Sequence, residues 1–433
     1  MTRLETVDDR TGSDGRLGAP FWRLWTAGVV NNLGDGALTV GVGLLAATVT
    51  HDPRLVAAVS AASMLPWLLV TLPAGVLVDR VDRIRTIRTA QLTQAVVMSV
   101  LTLLVALHVI TVPTLAVLAF LVTSGDVVFS LASQSVLPQI VDKPQLIKAN
   151  SATYLGQTIS YSLLGQSLGG LLFATASALP FGFEAASFVA SAAVLARLRP
   201  SHPGAAPSAA APQSEPDGRP SPRRGVWSDL REGLRWLSRH RLLRTLTLVL
   251  GLNTFANQIG TSVLVLFATQ TIGLSRTSYG LMVAASATGG IVGGLTNTRI
   301  VRLLGAPAAL VLALALNATA FAATGLVGAG YALGALMALV GFSVSIWNVI
   351  SVSMRQTLVP HELLGRVNSV NRLLGWGLMP LGALVGGFLG HWFGLRVPFF
   401  VTGGFRFAVL AAAAPVLLPA LRRAGVRPRD HDA

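Results

Sequence analysis

Long apolar runs separated by short polar breaks make up most of the chain. Twelve such runs stand out: Phe21–Thr48, Leu55–Val78, Thr89–Val109, Val112–Val136, Ser151–Ala174, Ala178–Ala196, Leu242–Phe267, Tyr279–Val301, Pro307–Val327, Tyr331–Met354, Val367–Gly390 and Val397–Leu418. A helix needs about 20 mostly apolar residues to cross roughly 30 Å of hydrocarbon. Each run meets that length, and each is too long and too uniformly apolar for a barrel strand. The pattern predicts an all-α membrane protein of twelve spans, numbered one to twelve in chain order.

The longest break falls between spans six and seven. Residues 199–225 are rich in Pro, Ala, Ser and Arg and read as a flexible linker. Over 226–240, Val226, Trp227, Leu230, Leu234 and Leu237 recur at helical spacing, with Arg231, Arg235 and Arg239 on other faces. That pattern predicts a basic amphipathic helix on the membrane surface, with a plain soluble connector as the alternative. The expected organisation is a tail over 1–20, a six-helix bundle over 21–197, a connecting segment over 198–241, a second bundle over 242–419 and a tail over 420–433.

Composition agrees with the membrane reading. Of 433 residues, 52% are hydrophobic and only 12% charged, about half the charged share of a soluble domain. With no cysteine, a disulfide-built secreted scaffold is excluded. The net charge of +15 would suggest nucleic acid if it were spread evenly. Instead nearly all Lys and Arg fall in the tails and alternate loops, leaving Arg54, Arg276 and Arg396 for the other side and Arg406 inside span twelve. Such asymmetry places both termini in the cytoplasm and needs no nucleic-acid partner.

The two sets of six spans share a sequence echo. Val141, Leu146, Lys148, Asn150-Ser151 and Gly169 recur at one common offset as Val359, Leu364, Arg366, Asn368-Ser369 and Gly387. At the next offset Gly75, Arg80 and Arg83 recur as Gly294, Arg299 and Arg302. The halves therefore read as parallel repeats with a binding site between them near mid-membrane.

On these residues the chain resembles the major facilitator superfamily outside its tails and linker. After span two, GVLVDRVDRIR is similar to that superfamily's loop signature, matched by Gly75, Asp79, Arg80, Arg83 and Arg85, with Asp82 standing where the pattern often has Gly. NNLGDGALTVGVGLLAATVTHDP in span one and WNVISVSMRQTLVPHELLGRVNSVNRLLGWGLMPLGALVGG in spans ten and eleven resemble a bacterial branch of drug and siderophore exporters, that of the enterobactin exporter and macrolide pumps. GQSLGG in span five is similar to the superfamily's antiporter signature, with Gln166 for its usual Pro and Tyr161 for its earlier Gly. The resemblance implies the major facilitator fold, a monomer in the bacterial plasma membrane, a cavity lined by spans one, four, seven and ten, and a cytoplasmic gate at the loop signature. A basic loop that only sets topology is the alternative to that gate.

Polar residues mark the same four spans. Span one carries Asn31, Asn32 and Asp35; span four Asp126, Ser130, Ser133 and Gln134; span seven Asn253, Asn257, Gln258 and Thr261; span ten Ser343, Trp347, Asn348 and Ser351. Three-to-four spacing keeps each set largely on one face. Asn31, Asn32, Ser130, Gln134, Asn253, Asn257, Gln258, Trp347 and Asn348 are the candidate cavity lining, Trp347 offering a flat surface for an apolar substrate. Asp35 lies about 21 Å along its helix from Phe21, and Asp126 is similarly central. Ionised carboxylates at that depth are costly, so both are candidate proton carriers. A structural hydrogen bond is the alternative for Asp35. Glu184, near one end of span six, is expected to reach the membrane interface, and Arg406 has no evident role. Paired glycines four apart, Gly165 and Gly169, Gly289 and Gly293, and Gly382, Gly386 and Gly390, predict close helix crossings.

No zinc, nucleotide-binding or nucleophile motif is present, so neither an enzyme nor a cofactor or metal site is expected, and transport must draw on an ion gradient. The sequence thus predicts a proton-coupled exporter of an amphiphilic small molecule. Its alternative is a proton-coupled importer of a small nutrient.

Overall fold

A computed structural model describes residues 17–141, 145–197, 234–359, 367, 370–371 and 373–425. Among them every regular element is helical, as the apolar runs predict. Nine helical stretches in the described residues are long and apolar enough to cross a membrane. The twelve-span reading accommodates them, because three spans lose their separate identity for local reasons. Span two is Pro53–Leu69 followed across Val70 by Thr71–Arg80, with Pro66 inside the first part; a proline removes one ladder donor. Span five is Leu146–Gln157, a π-helical stretch Thr158–Gly165, and Gln166–Thr175. Spans eight and nine run together as Arg276–Thr324, broken at Gly305, where φ 76° and ψ 153° reverse the chain. That backbone region is essentially confined to glycine.

Side chains set several helix starts. Asp52 accepts from Arg54 N to cap span two, and Ser275 accepts from Ser278 N to cap span eight. Asp82 accepts from Arg85 N, so span three begins at Arg83, well before its apolar run. Arg54 Nη2 also pairs with Asp52 Oδ2 at 2.8 Å. This hydrogen bonding holds the half-buried Asp52 carboxyl below the usual carboxylate range.

Residues 199–225 and the first part of the expected surface helix lie outside the described residues. Residues 234–239 are helical. Leu237 there is buried and Trp236 half-buried against a cluster with Leu242, Leu246 and Leu310. At this end of the segment Leu237 packs on the second bundle, while Leu234 is exposed.

Glycines sit at three helix crossings, one pair at each. A Cβ at Gly165 or Gly169 would meet the backbone of Leu33, Gly36 or Ala37 in span one; at Gly382 or Gly386, that of Phe255 or Ile259 in span seven; at Gly289 or Gly293, that of Ala338 or Phe342 in span ten. Spans one and five, and seven and eleven, thus cross alike in the two halves.

Several contacts between the halves lie at the end opposite the arginine-rich loops, while spans two and eleven also meet deeper, where the Trp67 and Trp376 ring centroids are 4.5 Å apart. At the opposite end Gly170 in span five abuts Gly280 in span eight, where an added Cβ would fall 2.6 Å from the Gly280 Cα. Gly387 in span eleven abuts Pro53 and Ala57 in span two. His51 and Gln270 are hydrogen-bonded at 2.7 Å, and the Arg276 guanidinium lies 5.3 Å from the Phe173 ring centroid. One apolar cluster, including Val40, Phe173, Phe181, Phe267 and Phe399, spans both halves at this end. Toward the arginine-rich end the cores separate into one cluster around Leu24, Ile87 and Ala132 and another around Leu246, Leu310 and Ile350.

Candidate functional site

Asp35, on span one, is held by a chain of amides. Asn31 Nδ2, one turn away, donates to Asp35 Oδ2 at 2.7 Å, and Gln91 Nε2 on span three donates to Asn31 Oδ1 at 2.5 Å. Gln94, one turn beyond Gln91, donates through Nε2 to Asp126 Oδ1 on span four at 2.6 Å and to the Val122 carbonyl at 3.0 Å. Both glutamines are buried. Thr39 donates to the Asp35 carbonyl and shares a 3.0 Å hydrogen bond with Tyr161 in the π-helical part of span five.

Glu184 corrects the expectation of an interfacial carboxylate: it is fully buried against span one. Only five residues precede it in Leu179–Ala196, but that helix starts beside Gly41, two turns short of the end of span one. A Cβ at Gly34 would collide with Glu184 Oε2 and Ser187 Oγ, so only the glycine admits the carboxyl here. Asp35 and Glu184 lie within hydrogen-bonding reach, and Asp126 is near enough to act on both electrostatically. Among the described residues no cation is among the groups acting on the three acids. Among the described residues no three acids or histidines are placed to hold a metal ion.

The second half has a different chemistry. Arg406 in span twelve is 5% exposed. Its Nη2 donates to the Asn253 carbonyl at 3.2 Å and to Asn257 Oδ1 at 3.0 Å, and its guanidinium lies 4.4 Å from the Phe321 centroid. Span seven's polar face therefore receives a buried cation. Gln258 Nε2 reaches Met64 Sδ of the first half at 2.8 Å, and Thr261 donates to Gln258 Oε1. Asn253 Nδ2 itself turns back to the Val249 carbonyl.

The remaining expected lining residues are placed unevenly. Asn32 donates to the Gly28 carbonyl, and Gln134 donates to Ser130 Oγ at 3.0 Å. Asn348 is exposed. Trp347 is 7% exposed, in the cluster with Leu246, Leu310 and Ile350. It fills a core instead of offering an open ring face, a correction to the expected substrate surface. Ser343 is buried and accepts from Asn317 Nδ2 at 2.9 Å.

Of the loop signature, the side chains of Asp79 and Arg80 lie outside the described residues. Gly75 has open space where a Cβ would stand, so no close approach requires glycine there. Arg83 Nη1 donates to the Ser135 carbonyl of span four at 3.4 Å, within its own half, and Arg85 is exposed. A crevice of about 810 Å³ opens between spans two, three and four. Its walls are largely apolar, with Leu77, Val97, Leu121 and Val128, and it ends at Gln94 and Gly125, beside Asp126.

The chain matches the transmembrane secretion effector family over residues 18–432. No curated protein matches it by sequence. Among solved structures, a bacterial homologue of the human lysosomal transporter Spinster, inward-facing and unoccupied, aligns with a TM-score of 0.69 at 15% identity, covering 92% of this chain and 97% of that one. A bacterial homologue of the iron transporter ferroportin, inward-facing, aligns with a TM-score of 0.69 at 16% identity over 93% and 98%. The nucleoside transporter NupG, as its D323A mutant, aligns with a TM-score of 0.69 at 12% identity over 92% and 99%. At such identities the likeness shows the fold alone. With the match running through nearly the whole chain, the protein belongs to the transmembrane secretion effector family and is a multi-pass membrane transporter of the major facilitator type.

Proposed function

We propose that the protein is a secondary exporter that moves an amphiphilic small molecule, such as a drug, siderophore or secondary metabolite, out of a bacterial cell in exchange for protons, by alternating access. The observation that carries this reading is the pair of carboxyls within apolar spans, Asp35 and Asp126, each held by neutral amides with no cation acting on it among the described residues. Such groups can take a proton from one side and release it to the other as access changes. Family membership supports the outward direction, and the apolar crevice ending at Gln94 suits a substrate that is mostly apolar with a polar end.

In this reading the bundles over 21–197 and 242–419 rock about the contacts at the Gly170–Gly280 end, both termini face the cytoplasm, and the monomer in the plasma membrane suffices. The loop signature acts as the cytoplasmic gate, with ion pairs weak enough to break on every cycle. The test is proton movement in energised inverted vesicles, comparing wild type with Asp126→Asn across a panel of amphiphilic drugs and siderophores. A compound that dissipates the pH gradient with wild type only supports the reading. An equal response from both proteins removes Asp126 from the proton path. Uptake of a polar nutrient coupled to proton entry would replace export by import.

A further inference from the structure

Glu184 is a third intramembrane acid, and its surroundings single it out. It shares the seam between spans one and six with Asp35. Span one contributes Asn31, which donates to Asp35 Oδ2; span six contributes Ser187, which donates to Glu184 Oε2 at 3.0 Å. Span three offers Gln91 and Gln94, both engaged elsewhere through Nε2. Span four presents Asp126 and span five Tyr161, whose hydroxyl is shared with Thr39. After these bonds are assigned, Asp35 Oδ1 and Glu184 Oε1 remain buried with no donor to meet them.

Two facing carboxylates without a donor or a cation would be costly twice over, through desolvation and through like-charge repulsion. One proton removes both difficulties. It turns one oxygen from acceptor into donor and leaves a single negative charge spread over the pair. The absence of a side chain at Gly34 permits this approach, since a Cβ there would occupy the space of the Glu184 carboxyl.

We propose that Asp35 and Glu184 form a dyad that shares one proton, making Glu184 a proton-holding residue alongside Asp35. The proton lies between a carboxyl oxygen of one residue and a carboxyl oxygen of the other. It leaves the pair only when access to the seam changes, and a second proton added while the first is still held gives a fully neutral pair. The role in transport deepens the proton-exchange reading and rests on it; the dyad itself does not.

The two are separated by a measurement that needs no substrate. Purified protein in lipid is examined by infrared difference spectroscopy over a pH series, following the protonated-carboxyl C=O stretch. Four proteins are compared: wild type, Asp35→Asn, Glu184→Gln and the double variant. Glu184→Gln keeps the shape of the side chain and can donate to Asp35, so it preserves the seam; a monodisperse elution profile checks this. The dyad predicts that either single substitution abolishes the same band and that the double variant loses nothing more. Two independent bands that disappear additively, or no band that either substitution alters, overturn the dyad. If the common band is present but no panel substrate perturbs it or drives proton movement, the dyad stands and the proton-coupled function falls.

Discussion

Replacing Gly289 by alanine tests whether the helix crossings are as close as the geometry requires. A Cβ at Gly289 would fall onto the Ala338 carbonyl oxygen, with the Ala338 carbonyl carbon 2.6 Å away and its Cα 2.9 Å away. All three atoms are backbone, so no rotamer change relieves the contact, and spans eight and ten must move apart. Overpacking of this kind costs about 1–3 kcal/mol. Gly43 and Gly334 are also within helices but have nothing within 4 Å of an added Cβ. Alanine there should gain roughly 0.5–1 kcal/mol of helix propensity. Gly289 is within a helix too and has the same propensity gain, so the expected gap between Gly289→Ala and these controls is the overpacking cost, roughly 1–3 kcal/mol. Thermal unfolding of the three variants in one detergent, read by loss of the monodisperse peak, measures their order. Equal midpoints for Gly289→Ala and Gly43→Ala would show that the crossing has room, and the close-packing argument would fail.

Three further outcomes follow from other parts of the fold. Gly305→Ala places a side chain at φ 76° and ψ 153° and should cost about 1–3 kcal/mol, seen as a lower thermal midpoint; an unchanged midpoint would mean the turn relaxes freely. Gln94→Leu removes the donor that holds Asp126, so its effect on export should not add to that of Asp126→Asn; a double variant slowed by the product of the two single effects would show that the residues act separately. Since the chain has no native cysteine, His51→Cys with Gln270→Cys, joined by a short reducible thiosulfonate linker, should stop transport until a reductant is added. Continued turnover by fully cross-linked protein would show that the halves need not part at this end.

Much of the fold was legible because hydropathy along a chain reports membrane depth directly. The apolar runs locate the helices, and paired glycines such as Gly165 and Gly169 fall where spans one and five cross. The breaks were less visible. The π-helical stretch Thr158–Gly165 has no distinctive composition, and its close packing on Gly36 is a tertiary contact that the local sequence does not announce. Within the candidate site, Asp35 and Asp126 stood out as acids in apolar runs. Glu184 was misplaced because distance along its own helix says nothing about where the neighbouring helix ends, and span six starts two turns below the end of span one. Gln91 and Gln94 lie in span three, outside the four polar-striped spans, yet two glutamines one turn apart in an apolar helix are a readable signal. Trp347 shows the reverse error: a large aromatic ring on a polar-striped helix can turn its body inward, and this one packs among aliphatic side chains.

The seam between spans one and six and the seam between spans seven and twelve occupy corresponding places in the two repeats, yet one buries Glu184 beside Asp35 and the other buries Arg406 beside Asn257. The copies have thus become electrically opposite. A molecule made of two such blocks sets an acid-bearing seam in one against a cation-bearing seam in the other. On the proton-exchange reading proposed above, the acidic block is the member of the pair whose charge varies, and the block holding the guanidinium is its fixed reference.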